Sequence, residues 1–513
     1  MGQREAELTR TGALAQLRER LGQIHDLSRA ASLLGWDERT MMPAGGAPAR
    51  AEVQATLARL RHELFSAPET GELLELAREE LDEDADPDSI EAALVRVVAR
   101  DYEKAKRVPA ELRAEMAHAA STAERIWVEA KERSDFVLLR PHLERNIELA
   151  RRFADCYEGF DGFEHPYDPL LDEYEPGLGT PRMQQLLGEL REGLLPLVAE
   201  ARGRRPADDS CLRGDFPVEA QRGLLGELLG ELPLPPDGWR LDPTEHPFAT
   251  GISLGDVRLT TRYDPANLSV ALFSTLHEAG HGLYEANVDP ALARTPLAKP
   301  RSLGLHESQS RLWENWVGRS RPYLQHLGPQ LRRVFPGRFD EVSIERLVEA
   351  ANRIEPSLIR IEADELTYNL HILIRFELEL ELFGGGLNVA ELAAAWNQRY
   401  RDYLGLEVPD DAHGVLQDVH WPGGAFGYFP TYSLGNLIAA QLWQAARREL
   451  PQLEAEIAAG ELSPLGEWLR ERVHFFGRRL EPPEILERAG CGELSVEPLL
   501  SHLRERLELG TVQ

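Results

Sequence analysis

His277-Glu278-Ala279-Gly280-His281 is a run of residue types that can activate water. It lies in an apolar, helix-compatible stretch from Ser269 to Tyr284. Each helical residue turns about 100°, so residues four apart point within about 40° of one another, one turn apart. His277 and His281 can therefore share one metal ion. Glu278 lies beside the pair, where it can take a proton from a water held there. This spacing suits a zinc hydrolase. Two histidines on one helix face can also pack as a core pair without metal. The surroundings weigh against that: Leu272, Phe273 and Leu276 supply an apolar face, while Gly280 and Gly282 are poor helix formers. Glycines are tolerable where another backbone or a substrate must come close.

A catalytic zinc usually has three protein ligands and an open position. The downstream candidates for the third are Glu285, His306, Glu307 and Glu314. Glu285 shares the face of His281 but stands too far along the axis from His277. Its expected part is an acceptor that orients His281. After the proline-bounded loop Pro296 to Pro300, Ser302 to Trp313 reads as a second helix, with Gly304 weakening its first turn. A glutamate on a second helix crossing the first would complete a His/His/Glu set, and Glu307 is the expected ligand. His306 is its rival, since one position on a helix is a rotation of about 100° and both cannot face the metal equally. Such a site would lower the pKa of a bound water. Glu278 would accept its proton and deliver it to the leaving amine, giving amide hydrolysis without a covalent intermediate.

The elements that must position these residues read mainly as helix. Glu5 to Leu34, Ala47 to Phe65, Thr70 to Leu81, Ser89 to Lys106, Pro109 to Lys131 and Phe136 to Tyr157 carry apolar residues at three- and four-residue spacing. Residues 82–88 read as an acidic turn and residues 203–210 as a short loop that could move. One passage departs from the helical habit. His246 to Leu254 meets Val257 to Tyr263 across Gly255-Asp256, and the alternation of Val257, Leu259 and Thr261 predicts a β-hairpin directly upstream of the histidine helix. A strand there could bind an extended peptide along its edge. No linker or repeat divides the chain, so the expectation is one domain over residues 1–513, with two lobes around a cleft.

Composition narrows the class. The 513 residues are 42% hydrophobic and 28% charged, ordinary for a soluble globular protein. A net charge of −29 argues against a nucleic-acid or anionic-membrane partner. No apolar run approaches the roughly 20 residues of a membrane span. The polar start, Met1 to Glu7, carries no signal-peptide pattern. Cys156, Cys211 and Cys491 are widely spaced and form no C-x-x-C pair, which fits a reducing compartment. A cytoplasmic protein is expected.

Further segments repay reading together. They are His246-Pro247-Phe248, residues 256–260 (DVRLT), His277 to His281, residues 306–309 (HESQ), residues 359–364 (IRIEAD) and residues 414–421 (GVLQDVHW). In this order they resemble the carboxypeptidase Taq family of thermostable metallocarboxypeptidases. Residues 36–43 (WDERTMMP), 167–172 (YDPLLD) and 427–432 (GYFPTY) are similar to that family as well, so the resemblance covers nearly the whole chain. It implies a mostly helical, zincin-type fold with a long groove. It also implies a homodimer, a zinc ion with cobalt often substituting, and release of single C-terminal residues with broad specificity. It favours Glu307 over His306. An enzyme that reads a free α-carboxylate needs a cation near the metal, and arginine's planar fork suits it. Arg360 and Arg258 lie in the resembling motifs and are the candidates, Arg360 ahead. His420 and Tyr428 are candidates for binding the oxyanion or the substrate backbone. Two rival functions stand beside this one: an oligopeptidase cutting internal bonds on the same scaffold, and a silent peptide-binding protein with a structural metal.

Overall fold

Helix carries most of the chain in a computed structural model that describes residues 12–81 and 86–512. The first long helix, α1 (Ala13–Thr40), buries Leu17, Leu21 and Ile24 one turn apart. Residues 5–11 of its predicted span, the start Met1 to Glu7 and most of the acidic turn lie outside the described residues. Helices α2 (Ala47–Ser66), α3 (Pro68–Glu80), α4 (Ile90–Arg107), α5 (Ala110–Arg133) and α6 (Phe136–Asp155) fall within two residues of the predicted bounds. Their starts follow capping chemistry. Ser89 accepts from the Ala92 N–H at 3.2 Å and Asp135 from that of Val137 at 3.1 Å, each satisfying a donor that the helix leaves unpaired.

The predicted hairpin is present, as β2 (Ala249–Ser253) and β3 (Asp256–Thr261), and β3 is the central strand of three. A preceding strand, β1 (Trp239–Pro243), runs parallel to it, with Trp239 opposite Val257 and Leu241 opposite Leu259. The alternation of Trp239 and Leu241 after Gly238 was its signal, and the hairpin reading missed it. The outer edge of β2 is not bare: α1 packs on it and Arg29 donates to the Gly251 carbonyl. Residues 203–210 are pinned as well, because Arg205–Pro206 pairs antiparallel with Thr511–Val512.

The sheet lies on α7 (Leu268–Ala286), which carries both histidines. Helix α8 (Leu303–Arg311) crosses α7 and packs on α10 (Pro430–Glu449), while α9 (Glu365–Gly384) lies beside α10. The two glycines of the histidine motif set these distances. A Cβ on Gly280 would fall 2.4 Å from the Gln309 carbonyl oxygen of α8, and one on Gly282 would fall 2.8 Å from Leu259 of β3. The expected close approach is by backbone on one side and sheet on the other. Among the described residues, no helix is long and apolar enough to cross a membrane.

Candidate metal centre and active site

Helix α7 begins at Asn267, whose side chain accepts from the Ser269 N–H at 3.1 Å. Its third and fourth turns bring His277 and His281 to one face, ring centroids 5.1 Å apart. Helix α8 begins at Ser302, whose hydroxyl accepts from the Leu305 N–H at 3.1 Å, and buried Glu175 accepts from the Gly304 N–H. That start fixes the rotation of α8 and turns Glu307 toward the histidines. Glu307 Oε2 lies 3.3 Å from His281 Nε2 and 3.8 Å from His277 Nε2. One ligand atom from each of the three residues falls within 4.8 Å of the other two. Two ligands about 2.1 Å from a tetrahedral zinc stand about 3.4 Å apart, so this donor set fits one ion. His306, the rival, packs its ring at a tilt against that of His281, centroids 4.3 Å apart, and is not one of the three converging residues.

The surroundings orient the donors. Glu314 Oε2 lies 2.9 Å from His277 Nδ1, which leaves Nε2 facing Glu307. Arg319 donates to the other Glu314 oxygen at 3.0 Å. Arg311 donates to Glu307 Oε1 at 2.8 Å, so Oε2 is the oxygen turned to the histidines. The predicted second helix ends at Arg311 and continues as a wider π-helical segment, Leu312–Gly318, which carries Glu314. Glu285 does not orient His281. It sits 3.6 Å from His306 and 3.8 Å from Arg29, and His281 Nδ1 is buried without a partner among the described residues. The reason is local: the His306 ring packs at a tilt against His281, while Arg29 draws Glu285 toward the edge of the sheet.

Electrostatics follow from this crowding. Burial opposes charge on Glu307, but His277, Arg311 and His281 outweigh it and hold the carboxyl well below the usual range. Burial pushes Glu278 up, with Glu307 and Glu314 adding to the rise against the two histidines. A carboxylate raised in this way is a better proton acceptor.

Arg360 is brought toward this centre by way of intermediate residues. Its Nε and Nη2 donate to Asp418 Oδ1 at 2.9 and 2.8 Å, and its Nη1 to the Tyr368 hydroxyl at 3.3 Å. Arg311, bound to Glu307, lies over the Tyr368 ring at 4.3 Å. Arg375, fully buried on α9, donates to the second oxygen of Asp418 at 2.7 Å. His420 Nε2 lies 3.3 Å from the Tyr432 hydroxyl, and its ring is 5.2 Å from that of Tyr428. Glu307 is close enough to both tyrosines to add to the rise that burial gives their hydroxyls. Arg258 does not join this cluster. Val257 and Leu259 of β3 face α7, so the alternation sends Arg258 to the opposite face, where it pairs with Asp256 and lies over Trp36 at 4.7 Å.

The model of the carboxypeptidase Taq (M32) metallopeptidases matches residues 16–507. The chain belongs to that family. It is a metal-dependent carboxypeptidase, a peptide hydrolase. Carboxypeptidase 1 of Bacillus subtilis is 42% identical over 488 residues, 95% of this chain and 96% of that one. Thermostable carboxypeptidase 1 of Thermus thermophilus is 44% identical over 488 residues, 94% and 95% of the two chains. The crystal structure of the M32 carboxypeptidase from Deinococcus radiodurans R1 matches with a TM-score of 0.92 at 40% identity, over 97% of this chain and 99% of that one.

Sequence reasoning missed several groups around the centre of this carboxypeptidase. Arg311 stands four positions after Glu307, a spacing that could have found it. Arg375 and Glu379 are charges inside the apolar run of α9, where a lone ion needs a buried partner. Tyr368 carried no local signal, and Tyr432 stood in the GYFPTY segment without a role, because only the packing of α9 and α10 brings the two to Arg360.

Proposed function

We propose that His277, His281 and Glu307 hold a zinc ion, for which cobalt can substitute, and that Glu278 is the general base of the peptidase. Such an ion supplies Lewis acidity to the water and to the scissile carbonyl. Glu278 takes the proton of the attacking water and returns it to the leaving amine nitrogen. Arg360 binds the α-carboxylate of the last residue. His420 and Tyr428 serve the carbonyl oxygen or the substrate backbone. Burial pulls His420 down to about 4, so at neutral pH it acts as a neutral imidazole.

One observation carries the specificity. Asp418 is a single carboxylate shared by two buried guanidiniums, Arg360 and Arg375, which leaves one positive charge without a matching anion in the cluster. A second carboxylate, brought by a peptide with a free C-terminus, balances that charge. Two side chains, Tyr368 and Arg311, connect Arg360 to Glu307, which supports a carboxylate site near the proposed ligands. A cavity of about 850 Å³ is walled in part by Tyr368 and by Arg311 and Glu314, which touch the proposed ligands, while Arg360, His420 and the ligands themselves lie outside its lining.

The base is tested by Glu278→Gln, with metal content and peptide hydrolysis measured on the same sample. Retained zinc with hydrolysis reduced by about 10²- to 10⁴-fold is expected. Full hydrolysis by the zinc-loaded variant would contradict the assignment. The family resemblance supports a homodimer, and the polar start and widely spaced cysteines support a place in the cytoplasm. A single-chain mass by light scattering would count against the dimer, and recovery outside the cytoplasmic fraction against the location.

A further inference from the structure

Glu379 is wholly buried on α9, and no cation pairs with it among the described residues. A carboxylate in that position is costly unless its oxygens are hydrogen-bonded. Both are. Oε1 accepts from the Trp421 indole N–H at 2.6 Å, and Oε2 accepts from the Gly427 N–H at 2.8 Å and from the Tyr167 hydroxyl. Burial still pushes the carboxyl up to about 7, a cost the fold bears at this point.

The two loop donors are placed tellingly in sequence. Trp421 directly follows His420, and Gly427 directly precedes Tyr428. We propose that Glu379 is a positioning residue that fixes residues 420–428 so that His420 and Tyr428 face the substrate, an inference that rests on the substrate role proposed for those two. Helix α9 grips the loop twice, one turn apart: Arg375 binds Gln417 and Asp418, and Glu379 binds on either side of the loop's turn. Gly427 has a φ of +85°, and a Cβ there would fall 2.4 Å from the Leu170 carbonyl oxygen. The residues 167–172 segment thus serves as the floor on which the loop sits, with its Tyr167 completing the carboxylate's shell. Asn146 holds the loop's other side, donating to the Pro422 carbonyl at 2.7 Å.

The chemistry requires Glu rather than Gln. Trp421 Nε1 and the Gly427 nitrogen donate only, and they take different oxygens. An amide in either orientation sets its NH₂ against one of them. Tyr167 can turn its hydroxyl, but those two cannot.

Glu379→Gln tests this in the metal-loaded enzyme, by hydrogen exchange and by steady-state kinetics on a peptide with a free C-terminus. Faster exchange confined to residues 420–428 is expected, with zinc retained and KM raised about 10- to 100-fold, more than kcat falls. Unchanged exchange in that segment would overturn the anchor, whatever the kinetics. Faster exchange with wild-type KM would overturn the substrate role of His420 and Tyr428. If Glu379→Gln does not fold, Trp421→Phe deletes one donor and keeps an aromatic, though smaller, ring against Trp396 and Phe429. It is expected to show the same pattern at smaller amplitude, and wild-type exchange in Trp421→Phe would refute the proposal.

Discussion

Arg360 gives up two donors to Asp418 and turns its third nitrogen to a tyrosine hydroxyl, a partner that a carboxylate can displace. Removing the guanidinium leaves Asp418 paired with Arg375 alone and deletes the surplus charge. Arg360→Ala is therefore expected to keep its zinc and to lose about 30-fold or more in kcat/KM on peptides with a free C-terminus, as for other buried charge partners. Steady-state kinetics beside metal analysis checks this, and unchanged kcat/KM would contradict it. At this scale the sequence was legible where chemistry and spacing coincide: His277, His281 and Glu307, expected to converge, stand together. It was not legible for Arg258, which has the right chemistry but sits on the wrong face of β3. Nor was Glu285 legible, because its partners come from α1 and α8, distant in the chain.

Among the elements, the crossing of α7 and α8 does the positioning. Backbone meets backbone at Gly280, so an added methyl there has only the Gln309–Ser310 main chain to push, and Glu307 moves with it. Gly280→Ala is expected to cost ~1–3 kcal/mol in denaturant unfolding and to weaken zinc binding in a chelator competition. Gly282→Ala meets side chains of Leu259 and Val257, which can give, and is expected to do less. The start of α8 has its own signature. Burial pushes Glu175 from an ordinary 4.5 up to about 8, against the Ser302 and Gly304 hydrogen bonds. A carboxyl raised in the fold contributes stability that is fully present below 4.5 and lost as pH rises through about 8. Between those values the native state holds one more proton than the unfolded chain. Wild-type stability should then fall relative to Glu175→Gln by up to about 1.4 kcal/mol for each pH unit, levelling off above 8. Denaturant titrations of both proteins at several pH values would show it, and parallel profiles would contradict it. The helices were legible because apolar spacing and capping residues are local. Strand β1 and the π-helical turn at 312–318 were not, since a parallel partner and a widened turn are settled by packing.

Across the whole molecule, segments from residue 167 to residue 432 converge through the packing of α7 to α10, and their order along the chain was readable before any of their contacts were. The family model and relatives covering 94–95% of the chain give the activity class. The central claim is narrower: one zinc, one base and one buried cation pair that reads a free C-terminus. A timed cleavage ladder on one peptide, made with a free and with an amidated C-terminus and run with zinc-loaded enzyme, tests it most directly. Single residues leaving stepwise from the free peptide, with the amidated one spared, is the predicted result; equal cleavage of both would contradict the account.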